Sequence, residues 1–151
     1  MMDSLEFRPA TWDELEGRWQ DLVRSAFHEH YIGMGEAYAG VGDVEGKIEN
    51  MKPYVIGLPA WAAWEGERLA GLLMGRIDGE RLVLYDLFVN PSDQRKGIGR
   101  RLVEMAIHDS RAREITAEVN RQNTPSQALF KALGFHCEMT SDWMVLRRAE
   151  G

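Results

Sequence analysis

The residues best suited to chemistry in this chain are Gln94, Arg95, Lys96, Gly97, Ile98 and Gly99, which follow one another directly. The two glycines let a backbone approach a phosphate with no Cβ in the way. Behind them Ile98, Leu102, Met105 and Ala106 recur at helical spacing, so the run opens a helix. The first N–H groups of a helix have no partners inside it, and the macrodipole adds partial positive charge there. Arg95, Lys96, Arg100 and Arg101 add full positive charges. Such a strand, glycine loop and helix N-terminus make an anion site that suits a phosphorylated ligand.

A second chemical group precedes this loop. Asp86 sits in the apolar segment Leu82–Val89, where a carboxylate is unusual. It is a candidate general base, or else a structural partner of an arginine or a backbone N–H. Tyr85 beside it reads as a packed core tyrosine. Strand alternation sends Tyr85 and Asp86 to opposite faces unless a bulge intervenes. His28 and His30 flank Glu29, but no distant pair of ligands matches them, and no metal site is expected.

The elements that must position these groups are readable in order. Leu5–Pro9 alternates as a first strand. Thr11 and Glu14 form a capping box ahead of Leu15, Trp19, Leu22, Val23 and Ala26, which predicts one helix to about Phe27. His28 to Gly42 is rich in glycine and aromatics and reads as a loop lining a substrate, with Tyr31, Glu36 and Tyr38 as candidate contacts. Val44, Ile48 and Met51 predict a second helix stopped near Pro53. Trp61–Glu65, Leu69–Ile77 and Leu82–Val89 read as a meander, with Asp78-Gly79 as a strong hairpin signal. After the glycine loop and its helix come a strand at Ile115–Val119 and a short helix with Pro125 early and Gly134 just past its end. Phe135–Met139 and Trp143–Arg147 read as a closing hairpin. The sum is a mixed α/β domain over residues 1–151, a mostly antiparallel sheet flanked by about four helices.

Composition narrows the function classes. The chain has 151 residues, 44% hydrophobic residues and a formal net charge of −6. That acidity disfavours nucleic acid as a partner. A single cysteine, Cys137, excludes an internal disulfide and fits a reducing compartment. No stretch approaches the ~20 apolar residues of a membrane span, and the acidic N-terminus is not a signal peptide. The expectation is a soluble cytoplasmic protein.

At this point the chain resembles a known family. Gln94 to Gly99 matches the Q/R-x-x-G-x-G/A signature of the GNAT superfamily of acetyl-CoA-dependent N-acetyltransferases. Leu87-Phe88-Val89-Asn90-Pro91 upstream, Val119-Asn120 with Asn123 downstream, and Ala128 to Phe135 are further matches in the expected order. The resemblance implies strands 4 and 5 that are parallel and splayed. It implies that the backbone from Arg95 to Arg100, together with Gln94, holds the pyrophosphate of coenzyme A. Leu87, Phe88 and Val89 would pair with the pantetheine arm, Asn123 would bond it, and Phe130 would lie near the thioester. A strand N–H near Phe88 would stabilise the oxyanion. Asp86 would act as base, with Glu36 or Glu118 behind it, on a primary amine acceptor. The acidic balance and the acidic residues around Glu29, Glu36 and Asp43 mildly favour a cationic small molecule as that acceptor.

Many members of the family carry a tyrosine where Phe130 stands, and phenylalanine cannot donate a proton. Either Tyr85 or another tyrosine replaces it, or the thiolate leaves unaided, since a thiol pKa of about 8.5 makes a good leaving group. A non-catalytic acyl-CoA-binding or sensor module is the alternative. A dinucleotide-binding protein ranks below both, because Leu102 stands where the third glycine would be. Family members often form homodimers, and no heptad here marks an interface.

Overall fold

The computed structural model describes residues 5–31, 44–93, 96–120, 124–139 and 143–149. The first elements are β1 (Leu5–Pro9), α1 (Trp12–Leu15), α2 (Arg18–Tyr31) and α3 (Val44–Val55). The strands β2 (Ala60–Glu65), β3 (Arg68–Asp78) and β4 (Arg81–Val89) follow, and a 3-10 turn (Pro91–Asp93) leads into α4 (Ile98–Ser110). The chain closes with β5 (Glu114–Asn120), α5 (Thr124–Ala132), β6 (His136–Met139) and β7 (Trp143–Ala149).

The strands form one seven-stranded sheet in the order β1-β2-β3-β4-β5-β7-β6. Among the described residues only β4 and β5 pair in parallel, and every other pair is antiparallel. A single parallel pair is not a doubly wound dinucleotide fold. The mixed, mostly antiparallel architecture expected from the sequence is therefore the one observed.

Both faces of the sheet are covered. Trp61, Ala63, Leu73, Leu82 and Leu84 pack with Ile98, Leu102, Val103 and Ala106 of α4, and with Phe130 of α5, on one face. Ala60, Ala62, Trp64, Leu72, Met74 and Phe88 pack with Leu15, Trp19, Leu22 and Val23 and with Ile48 and Met51 of α3 on the other. Two-sided burial explains why β2 reads as a continuous apolar run with no alternation. The indole of Trp61 also donates to Asp109 Oδ2 at 2.9 Å, which ties β2 to the last turn of α4.

The first helix departs from the sequence reading. The capping box forms: Thr11 N–H donates to Glu14 Oε2 at 2.9 Å, and Glu14 N–H donates to Thr11 Oγ1 at 3.4 Å. The helix then breaks after one turn, because Gly17 takes a left-handed φ of 80°. It restarts at Arg18 and runs to Tyr31, so His28–Tyr31 is helix where the sequence reading had a loop. Helix α3 runs past Pro53 to Val55. Proline there forfeits only the bond to the Glu49 carbonyl, on an exposed face near the helix end, so the helix outlasts it by two residues.

Candidate active site

Strands β4 and β5 pair from Arg81↔Glu114 to Leu84↔Ala117 and no further. Strand β5 continues to Asn120 against β7, while β4 continues to Val89 against β3. The two strands therefore diverge after Leu84, as the resemblance implied.

The direction of the β4 backbone in this gap follows from one bond. Asn90 N–H donates to Ala70 C=O at 2.8 Å, toward β3. By alternation Phe88 and Asp86 also turn their backbone groups toward β3. Leu87 and Val89 then turn theirs away from β3, into the gap. The N–H groups that face the gap are those on either side of Phe88, at Leu87 and Val89, and not that of Phe88 itself. Phe88 itself is fully buried against the α2 and α3 side, so its ring contributes packing.

Where the strands part, the register of β4 against β3 slips by one residue. Met74 faces Asp86 and Gly75 faces Leu84, which leaves Tyr85 as the extra residue of a bulge. Asp86 opposes Met74 and so shares its face, the one covered by α2 and α3. The Arg76 guanidinium lies 5.9 Å from the centroid of the Tyr85 ring. Arg76 is two residues along β3 from Met74 and on the same face, so Tyr85 and Asp86 come out together. Strict alternation alone would have separated them. Both side chains are half-buried.

The N-terminus of α4 lies beside this gap. Gly97 is its N-cap, in the left-handed region with φ of 74°, and it offers no capping side chain. The position of a Cβ on Gly99 would be 3.4 Å from Leu87 Cδ2 and 4.0 Å from Val89 Cγ2, so the first turn touches the β4 rim. The same point is 3.4 Å from Leu129 Cδ2 of α5. Backbone donors at the start of α4 and strand groups at Leu87 and Val89, none of them with a partner among the described residues, thus meet along one line. That line fits an extended chain ending in a phosphate.

The basic side chains near the loop have other partners. Lys96 Nζ donates to Asp93 Oδ1 at 3.1 Å. Arg100 Nε donates to Glu104 Oε1 at 3.3 Å. Arg101 stacks over Phe7 at 3.8 Å from the ring centroid. Their field remains, and the backbone N–H groups at the helix end are donors that none of these side chains occupies as partners. Ile98 is buried and serves to seat the helix. Phe130 is buried, edge-on to Phe135 with centroids 5.1 Å apart.

Asp93 was not singled out from the sequence, and it is the most constrained acid in the protein's described part. Its side chain is 1% exposed. Arg68 grips it with two prongs, Nη1 to Oδ2 at 2.7 Å and Nη2 to Oδ1 at 2.9 Å. The Arg68 hydrogen bonds hold its carboxyl below the usual carboxylate range; burial opposes this, and Lys96 adds to it. A depressed carboxylate contributes stability that is complete above the ordinary carboxylate pKa and lost as pH falls through the folded value. We therefore expect the melting temperature of the native chain to drop on acidification below about pH 4. The Asp93→Asn variant should start lower at neutral pH and approach the native value in acid. Parallel melting curves against pH for the two chains would refute this.

Gln94, Arg95, Glu36, Tyr38 and Asn123 lie outside the described residues. Tyr31 ends α2, and Glu118 lies in β5 opposite Val145; only their backbones are described. No helix among the described residues is long and apolar enough to cross a membrane.

Comparison with known proteins agrees with this geometry. The model of the acetyltransferase (GNAT) family matches residues 7–135. The chain is 28% identical over 139 residues to a mycothiol acetyltransferase of Catenulispora acidiphila, covering 85% of this chain and 42% of that protein. It is 30% identical over 73 residues to a [ribosomal protein bS18]-alanine N-acetyltransferase of Salmonella typhimurium, covering 46% of this chain and 49% of that protein. The chain thus spans under half the length of these curated relatives. Among solved structures, the PaiA N-acetyltransferase of Thermoplasma acidophilum in complex with coenzyme A superposes with a TM-score of 0.74. That likeness covers 97% of this chain and 99% of the other at 18% identity, and it speaks for the fold.

Proposed function

We propose, since the chain belongs to the GNAT acetyltransferase family, that it transfers an acetyl group from acetyl-CoA to a primary amine. The observation that carries this reading is the β4–β5 gap opening beside the uncapped N-terminus of α4. The loop and first turn, Gln94, Arg95, Lys96, Gly97, Ile98, Gly99 and Arg100, hold the pyrophosphate, chiefly through backbone N–H groups. Leu87 and Val89 offer strand-like bonds to the pantetheine arm, as a missing strand would receive them. Phe130 flanks the arm from the α5 side, and Asn123 hydrogen-bonds it.

The arm's thioester end then lies toward the bulge at Tyr85 and Asp86. The cosubstrate supplies an activated acyl group and a thiolate that leaves readily. The protein's part is placement and proton handling. Asp86 takes the proton of the attacking ammonium, directly or through a water. The Leu87 N–H, turned into the gap, offers a donor to the developing oxyanion. Tyr85, on the same face as Asp86, offers a hydroxyl for the departing thiolate, in place of the tyrosine that Phe130 is not. The acceptor is a small amine, with Tyr31, Glu36 and Tyr38 as its candidate contacts and a cationic compound as the favoured class.

Phe130 motivates the second reading, a domain that binds acyl-CoA without transfer. The two readings part on whether thiol is released from acetyl-CoA when a panel of primary amines is supplied.

Binding is tested by calorimetric titration of acetyl-CoA against three chains. The native chain should bind. Gly99→Ala should bind nearly as well, because its methyl would meet Leu129 and Leu87 at 3.4 Å, an ordinary contact. Gly99→Glu should bind at least about tenfold more weakly, since a long side chain must leave a place where its Cβ already meets Leu87 and Leu129 at 3.4 Å, and its negative charge repels the pyrophosphate. A native chain that does not bind acetyl-CoA ends the proposal.

A further inference from the structure

We infer that Asp93 is the positioning residue of the cofactor loop, and that Lys96 shapes the loop through Asp93 instead of contacting phosphate. The inference rests on reading Gln94–Gly99 as the coenzyme A site.

Asp93 closes the segment before the loop. Its own N–H donates to Asn90 C=O at 2.8 Å, and Asn90 Oδ1 accepts from Ser92 N–H at 3.1 Å and from Ser92 Oγ at 2.9 Å. The chain from Asn90 to Asp93 is therefore fixed to itself. Asn90 is also tied to β3 through its bond to Ala70. Three residues after Asp93, the Lys96 ammonium comes back to it at 3.1 Å. One carboxylate thus clasps the loop at both ends, just before the Gly97 cap of α4.

The clasp is anchored from outside by Arg68, the first residue of β3. Its fork occupies both Asp93 oxygens, and the same guanidinium takes Glu65 at 2.7 Å. Ser92 Oγ lies 3.3 Å from Oδ2. Formal charges cancel across Glu65, Arg68, Asp93 and Lys96. A buried carboxylate with this many donors is held in one geometry, since moving away would strand its charge. The two ends of the loop are thereby held before any ligand arrives, and preorganised donors bind an anion without an ordering penalty. The clasp lies beyond the C-terminal end of β4, whereas Tyr85 and Asp86 lie at its middle, so it should govern cofactor affinity and leave the chemical step alone.

Two measurements on Asp93→Asn, Lys96→Met, Arg68→Lys and the Asp93→Asn/Lys96→Met double variant test this. The first is the amide exchange of Arg101 to Val103, whose N–H groups close the first turn of α4 just after the loop, in the unliganded chain. The second is the dissociation constant for acetyl-CoA, with kcat at saturation. Asp93→Asn should speed exchange at that turn and weaken acetyl-CoA binding roughly tenfold, the size that losing a buried charge-assisted bond carries, with kcat unchanged. Arg68→Lys should move both readouts the same way by less, and it carries the test if Asp93→Asn does not fold. The double variant should bind no more weakly than the weaker single variant, because both changes open one clasp.

Additive losses in the double variant would make Lys96 a phosphate ligand in its own right and overturn the inference. So would native exchange at that turn, or native affinity, in a folded Asp93→Asn chain. If the native chain does not bind acetyl-CoA, the cofactor reading fails and the affinity half of this inference falls with it. The exchange data on the unliganded chain still decide whether the clasp sets the loop.

Discussion

Replacing Asp86 by Asn should lower kcat about 10²- to 10⁴-fold while leaving the dissociation constant for acetyl-CoA near its native value. An alkyl ammonium with a pKa near ~10 must lose a proton before it can attack a carbonyl, and an amide cannot accept that proton at neutral pH. The cofactor is held elsewhere on this reading, by the Leu87 and Val89 backbone and the turn after Gly97. The two effects should therefore separate. The substitution keeps size and shape, so the half-buried site should persist. The pH profile gives the sharper readout. The variant's residual rate should climb with pH as free amine accumulates, until the gap to the native enzyme narrows. A variant with native kcat would move the base to Glu118 or Glu36. Tyr85→Phe should cost less, because a thiolate is already a good leaving group near neutral pH.

That Tyr85 can be tested beside Asp86 at all depends on a feature the sequence hid. Around Asp86 nearly every residue of β4 is apolar or half-buried, because both faces of the sheet are covered. A strand buried on two sides carries no alternation, so a bulge leaves no break in the pattern. The same burial hid the phase of Leu87 and Phe88, which is fixed by a backbone bond from Asn90. Signals of other kinds were legible. The T-x-x-E box at Thr11 and the Asp78-Gly79 turn each depend on a few adjacent residues, and each formed. Gly17 was not read as a break, since one glycine within a periodic apolar pattern is normally tolerated.

Charge was the least legible quantity. Lys96, Arg100 and Arg101 read as a patch aimed at phosphate, yet each has a partner in the fold. Two of those partners were within reach of the sequence: Asp93 and Glu104 stand three and four residues from their cations. Arg68 lies 25 residues from Asp93, and only the β3–β4 pairing brings it there. The order of the last strands was equally hidden, because β7 inserts between β5 and β6 and no local residue announces it.

The gap itself depends on how closely α4 approaches the sheet, and Gly71 sets that approach. Gly71 lies in β3 opposite Val89, beneath the first turn of α4. A Cβ built there would stand 2.6 Å from Ile98 Cγ2 and 3.1 Å from Leu102 Cδ1. Ile98 is β-branched and opens the helix, so its χ1 has little freedom to turn away. The helix must lift instead, and it carries the cofactor-facing N–H groups with it. Gly71→Val adds two further methyls to the same crowded place. It should cost about 3 kcal/mol, at the upper end for overpacking. For a chain of this size that lowers the melting temperature by roughly 6–12 °C. Gly71→Ala should show the same effect at a smaller size. Because the strain falls on Ile98, acetyl-CoA affinity should weaken along with stability. The Gly99→Ala chain is the control, for its methyl meets only ordinary contacts at the same helix end. A Gly71→Val chain that melts and binds like the native one would mean that the sheet under α4 yields without moving the helix, and that the β4 rim alone fixes the site.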